Sequence, residues 1–563
     1  MNILKSHNRT RAQESTQAIE RLYITMRHLF NRGFYKPSGV SGETLREALL
    51  ILSPEIYGSI KEEKIELQGL LYIMDRLPEG IEECRYINLT SEEGYKNSHF
   101  EPIIPLKRRR NCYRIDQEQM NIEITRGRSE IYDILTHLTF LFIEAHKIRK
   151  QVLINDQGDV VRDWQKLEDV VINNRKLSQE EKEVILTHVA NFLGRTFEEV
   201  KNIYPYFATA NNENRFLTMI YHLGQLAIEE HIDDKKRIIT FSPVLRERLG
   251  HHIHGEAWAF RIKQILNEKG LLKRPIHIIS ANMHSVMNTF FAEKALPQEY
   301  KRLGELKLYE TISSPNSLAM REKIKKQAEK EGMIFIEDES GTNIDVQIFD
   351  TAKITHPVYT KNIHNLKAHQ KPIIIVMDYA FGEQAYETMD ELLRPFKIGK
   401  TSIRLNVVSV SIMGKAGILV GGKGDIMIPT AHVFEGTADN YPFKNEITAA
   451  AFEGDDVNVY TGTMISVLGT SLQNKDVLTF FHKSTWNVIG LEMEGAHYQK
   501  AIQAASKIRH SINSRVKVRY AYYASDNPLE TGSTLASGGL GTTGVKPTYL
   551  ITQKMLNQIL NVN

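Results

Sequence analysis

A chain of 563 residues exceeds what one compact core organises, so two or three domains are expected. Lys+Arg 71 against Asp+Glu 68 leave a formal net charge of +3, too even a balance for a general nucleic-acid or membrane binder. Two cysteines, Cys84 and Cys112, exclude a disulfide framework and predict a reducing compartment. The opening stretch, MNILKSHNRTRAQEST, lacks the apolar core of a signal peptide, and no apolar run approaches the roughly 20 residues of a membrane helix. The expectation is a cytoplasmic protein without nucleic-acid or membrane partners.

Residues 1–250 predict a mostly α-helical N-terminal domain, whose role the sequence does not state. TQAIERLYITMRHLF places Ile19, Leu22, Met26 and Leu29 at helical spacing. Ser178 with Glu181, and Thr196 with Glu199, form the pattern of a capping box, which predicts two helix starts. HLTFLFIEAH (137–146) and HLGQLAIEEH (222–231) share His, Leu, Leu, Ile, Glu and His at the same offsets. His137 and Glu144 share one helical face, but Glu144 and His146 do not, so structural histidines are expected and no metal site. KRRR (107–110) reads as a solvated charge run, and HHIH (251–254) marks the approach to a second domain.

From about 273 short apolar runs alternate with helical segments: PIHIIS, KPIIIVMD, NVVSVSIMG, GDIMIP, VYTGTMISVLGT, NVIGLE and VKVRYAYYASD. Runs apolar on both faces predict an α/β C-terminal domain over 273–563, a central, largely parallel (mixed) sheet flanked by helices. Residues 300–360 carry a helix pattern and a hairpin pattern, read as an insertion or lid. The Gly-rich TGSTLASGGLGTTG (531–544) reads as a mobile loop before a last helix.

Ligands of such sheets bind beyond the carboxyl ends of the strands, where Gly414, Glu492, Glu494 and Asp526 all fall. In GKAGILVGGKGDIMIP (414–429), glycines let several N–H groups face one anion, with Lys415 and Lys423 adding charge. On spacing alone, the same segment reads first as a hairpin-like connection between two strands. Glu492 and Glu494 alternate, so one binds a polyol while the other orients it, or both are acids at a helix start. Ser525 and Asp526 end an aromatic-rich strand. A half-buried acid there suits proton donation, and an Asx turn is the alternative.

Together these segments resemble the nucleoside phosphorylase and nucleosidase superfamily, and within it AMP nucleosidases. LEMEGAHYQKA is similar to that family's Met-Glu-Gly/Ser-Ala segment, ASDNPLETG to its Ser-Asp segment, and TGTMISVLGT to its Thr-Gly-Thr strand. The resemblance covers about 273–560. It implies hydrolytic cleavage of the N-glycosidic bond of a purine nucleotide or nucleoside, without cofactor, by a homo-oligomer. By this match Asp526 protonates the base, oriented by Ser525. Met493 and Glu494 line the ribose, with Glu492 alongside. Gly414, Lys415, Ala416 and Gly417 form the phosphate or nucleophile subsite. Lys415 stands where relatives commonly have Ser or Cys, and the first-strand loop SANMHS carries Met283 and His284 but no acid. Phosphorolysis, and nucleotide sensing without turnover, are the competing readings.

Overall fold

The computed structural model describes residues 10–108, 110–209, 212–437, 439–530 and 541–561. They divide into two compact units. The first comprises the described residues up to Thr125, Glu130–His251 and Ser471–Val477. Its helix Arg11–Arg32 buries Ile19, Leu22, Met26 and Leu29. Both expected capping boxes form: Ser178 Oγ accepts the Glu181 N–H at 3.2 Å while the Glu181 carboxylate accepts the Ser178 N–H at 2.8 Å. Thr196 and Glu199 repeat the exchange at 3.2 and 2.8 Å.

The unit also holds a sheet that the helical reading omitted. Strands β1 (Phe34–Tyr35), β2 (Tyr86–Thr90), β3 (Cys112–Arg114), β4 (Gln119–Glu123) and β5 (Ile238–Phe241) pair in the order β1-β5-β2-β4-β3. None exceeds 5 residues, too short for alternation to stand out against the helical periodicity around it. The basic run is not a solvated face either. Arg110 is buried 3.2 Å from Glu130, and Arg108 lies 3.1 Å from Asp133; Arg109 is outside the described residues.

The second unit comprises Arg126–Ser129, His252–Thr470 and the described residues from Leu478 onward. Its strands are β6 (Ile276–Ser280), β7 (Met333–Ile336), β8 (Val346–Asp350), β9 (Ile373–Met377), β10 (Phe396–Ile398), β11 (Thr401–Ile403), β12 (Val407–Ile418), β13 (Ile426–Phe434), β14 (Asn440–Pro442), β15 (Val459–Ser466), β16 (Val488–Glu492) and β17 (Lys517–Asp526). Strands β10 and β11 form a small ribbon. The others build a 10-stranded mixed sheet in the order β14-β13-β15-β16-β12-β6-β9-β8-β7, with β17 pairing both β12 and β13. The run β9-β6-β12-β17 is parallel, as is β13-β15-β16. Antiparallel pairing of β12 with β16, and of β13 with β17, joins the two.

The apolar texture of the strands follows from burial on both faces. Ile373, Ile375 and Met377 of β9 pack into one core with Trp258, Met389 and Ile502. Ile374 and Val376 pack into another with Phe290 and Leu556. The segment 300–360 contributes helices and the antiparallel pair β7-β8, and β8 pairs with β9. The hairpin is thus the edge of the main sheet rather than a lid. Gly414–Gly417, taken as an anion or nucleophile loop, lies inside β12, because its backbone pairs with β17 throughout and with β16 at Gly417. Of the Gly-rich segment, 531–540 is outside the described residues, and the helix Val545–Leu560 follows it. Among the described residues no helix is long and apolar enough to cross a membrane.

Candidate active site

The strand ends singled out in the sequence meet around β12. Gly417 pairs with Leu491 of β16 on one side and with Asp526 of β17 on the other. A register shift between Ala416 and Gly417 marks the point where β12 leaves regular pairing with β17. Ser525, Asp526 and the 492–494 stretch therefore flank a single short piece of backbone.

Asp526 is only 3 % exposed. The Ser525 hydroxyl donates to its Oδ1 and lies 3.1 Å from the Ala416 carbonyl oxygen. Oδ2 is buried and has no hydrogen-bond partner among the described residues. Burial raises the carboxyl above its ordinary range, against the opposing pull of Ser525, Lys415 and Lys423. An acid whose proton is held more tightly by burial, with one oxygen unengaged among the described residues, is suited to donate a proton.

Glu492 turns inward instead of facing a ligand. Its carboxylate accepts the Ser466 hydroxyl and the N–H groups of Glu494 and Gly495, the start of helix Gly495–Gln503. Those N–H groups would otherwise be orphans of a helix terminus. Burial pushes this carboxyl up to about 7. Glu494, at the N-cap position, accepts the Gly382 N–H at 2.9 Å through Oε1. Burial first, then Glu492, pushes it up to about 8. Met493 is half-buried beside it, and its Cε is 3.9 Å from where a Cβ on Gly382 would stand. Close packing holds this corner: a Cβ on Gly495 would lie 2.4 Å from the His432 ring and 2.6 Å from the Tyr522 hydroxyl.

Lys415 is exposed and faces a cavity of about 310 Å³ lined also by Asn282, His284, Ser285, Arg321 and Tyr523. Arg321, from helix Leu318–Lys330, reaches the Ser314 carbonyl at 3.2 Å. His284 is held below its ordinary range by burial and by Arg321. Three basic side chains around one small space suit a phosphoryl group. The segment taken for a lid thus supplies a wall of this cavity.

Two acids at strand ends escaped the sequence reading. Asp378 follows β9 directly, and its Oδ1 accepts the Tyr379 N–H at 2.8 Å. Burial raises it, with Asp345 adding to the rise and His284 and Arg126 opposing. Glu435 follows β13, accepts the Leu468 N–H at 3.3 Å, and is pushed up to about 8 by burial. The signal that marked Glu492 and Asp526, an acid ending an apolar run, is equally present in IIIVMD. Among the described residues no group of three or more His, Cys, Asp or Glu is placed to hold a metal ion. His137 lies buried, 3.4 Å from Asp133.

Fold and site define an α/β unit with several buried or half-buried acids at the ends of strands of a mixed sheet. The chain belongs to the family of unknown function DUF6909, whose model matches residues 43–299 and 306–561. The sequence matches none of the curated proteins compared with it. Among solved structures it is similar to the Campylobacter jejuni 5'-methylthioadenosine/S-adenosyl homocysteine nucleosidase, at 10% identity over 51% of this chain and 99% of that one, with a TM-score of 0.31. Futalosine hydrolase of Helicobacter pylori is similar at 14% identity, 51% and 99% coverage and a TM-score of 0.30. Isoform 2 of Schistosoma mansoni uridine phosphorylase follows at 12%, 52% and 91%, with 0.29.

Proposed function

We propose that the second unit cleaves the N-glycosidic bond of a purine nucleotide or nucleoside by hydrolysis. The observation that carries this reading is Asp526, a buried acid whose Oδ2 has no hydrogen-bond partner among the described residues, set across β12 from the 491–494 stretch. Departure of a purine leaves an electron pair on the base that must be protonated, and Asp526 supplies that proton. Glu494 accepts hydroxyls of the sugar and, in its ionised form, favours the positive charge that grows on it as the bond breaks. Ser525 orients Asp526 through the hydrogen bond to Oδ1. The resemblance of 491–501 and 524–532 to nucleosidase segments supports the same assignment.

Phosphorolysis is the second reading, favoured by the cavity that gathers His284, Arg321 and Lys415. One experiment separates them: release of free base from AMP, adenosine, inosine and methylthioadenosine, each with and without phosphate. Release without phosphate supports hydrolysis, and strict phosphate dependence supports phosphorolysis. In Asp526→Asn the release is expected to fall by at least about 10²-fold while AMP still binds, because only the transferable proton is lost. A variant that keeps its rate would remove Asp526 from the role. Because Asp526 acts protonated, the rate is expected to fall as pH rises through its raised pKa.

A further inference from the structure

Hydrolysis also needs a group that takes a proton from the attacking water. Asp526 is assigned to the leaving base, and Glu492 spends its carboxylate on Ser466 and two backbone N–H groups. Glu435 follows β13 and accepts the Leu468 N–H beyond the end of the neighbouring β15, away from the 281–284 turn. Asp378 is differently placed. Its strand β9 lies beside β6, with Met377 paired to Ser280, so Asp378 emerges next to the 281–284 turn that lines the cavity. The loop it opens closes on the sugar side, since the Gly382 N–H donates to Glu494. Tyr379, between them, shares a hydroxyl hydrogen bond with Tyr523, whose ring lines the same cavity and whose backbone pairs with Lys415. One five-residue loop therefore carries an acid beside the turn whose residues reach the cavity, and the support of Glu494 at its other end.

Resting on the glycosidase reading, we propose that Asp378 is the general base of the hydrolysis. Its carboxylate takes one proton from water as the water oxygen bonds to C1′ of the sugar. The C1′–N bond breaks, its electron pair stays with the base, and the base takes the Asp526 proton. Products are the free base and the sugar with a C1′ hydroxyl, and exchange with solvent returns a proton from Asp378 to Asp526. The groups around Asp378 are His284 of helix Met283–Ala295, Arg126 of the 126–129 segment, Asp345 before β8, and Tyr498 of helix Gly495–Gln503. Burial is the largest influence and raises Asp378; Arg126 favours the ionised form that a base requires, His284 does so only when protonated, and Asp345 opposes it.

The test is base release from AMP, without phosphate, across pH, for the full chain and for Asp378→Asn, Asp378→Ala and Asp526→Ala. The expected result is a kcat at least about 10²-fold lower in Asp378→Asn with KM little changed, and loss of the acid-side limb of the pH profile. Added formate is expected to restore the rate of Asp378→Ala and not that of Asp526→Ala, which a merely structural role for Asp378 would not produce. The proposal is overturned if Asp378→Asn keeps the wild-type kcat and acid limb, or if formate restores nothing in Asp378→Ala. Wild-type release that occurs only with phosphate also overturns it, while leaving glycosidic cleavage by Asp526 in place. Wild-type protein that releases no base from any of the four substrates overturns both.

Discussion

Glu492 offers the sharpest test of how the corner of the site is held. In Glu492→Gln the amide oxygen can accept the N–H groups of Glu494 and Gly495, and the amide nitrogen can donate to Ser466 Oγ. Ser466 Oγ already accepts the Ala496 N–H at 3.0 Å, so what is lost is the partner of the serine's own proton. That costs about 1 kcal/mol. The charge acts in the other direction. Burial raises this carboxyl from 4.5 to about 7, which at about 1.36 kcal/mol per pH unit is about 3 kcal/mol. A raised pKa means the folded state binds the proton more tightly, so the stability it contributes is complete below about 4.5 and gone above about 7. Gln mimics the protonated side chain at every pH. The variant is therefore expected to be about 1 kcal/mol less stable than wild type near pH 3.5, about equal to it near pH 5, and roughly 2 kcal/mol more stable near pH 8. Urea unfolding of both proteins across that range reads the difference directly. Parallel curves, with no change of sign, would refute the account of a carboxylate ionised at the cost of its burial.

Two further substitutions probe the same corner. Gly495→Ala places a methyl 2.4 Å from the His432 ring and 2.6 Å from the Tyr522 hydroxyl, and is expected to cost about 1–3 kcal/mol in thermal denaturation. Unchanged stability would show that these rings give way freely. Glu494→Ala removes the proposed acceptor of the sugar hydroxyls and should lower kcat/KM for base release by about 10²-fold; an unchanged value would place the sugar elsewhere.

Much of the second unit was legible because its strands are buried on both faces. Such runs stay apolar throughout, so an acid at the end of one stands out, as Glu492 and Asp526 did. Local rules sufficed for the capping boxes at Ser178 and Thr196 too, because both partners lie within one turn. Tertiary structure decided what depends on distant partners. Whether Gly414–Gly417 is loop or strand turned on its neighbours β16 and β17, which arrive more than 70 residues later. Alternation alone gave Glu492 and Glu494 interchangeable roles, and the Ser466 hydroxyl and the Gly382 N–H are what separate them. The helix supplying Arg321, the helix start supplying His284 and the strand supplying Lys415 reach one cavity from separate parts of the chain. Periodicity records which face of an element is buried; what lies opposite that face is a property of the packed chain alone.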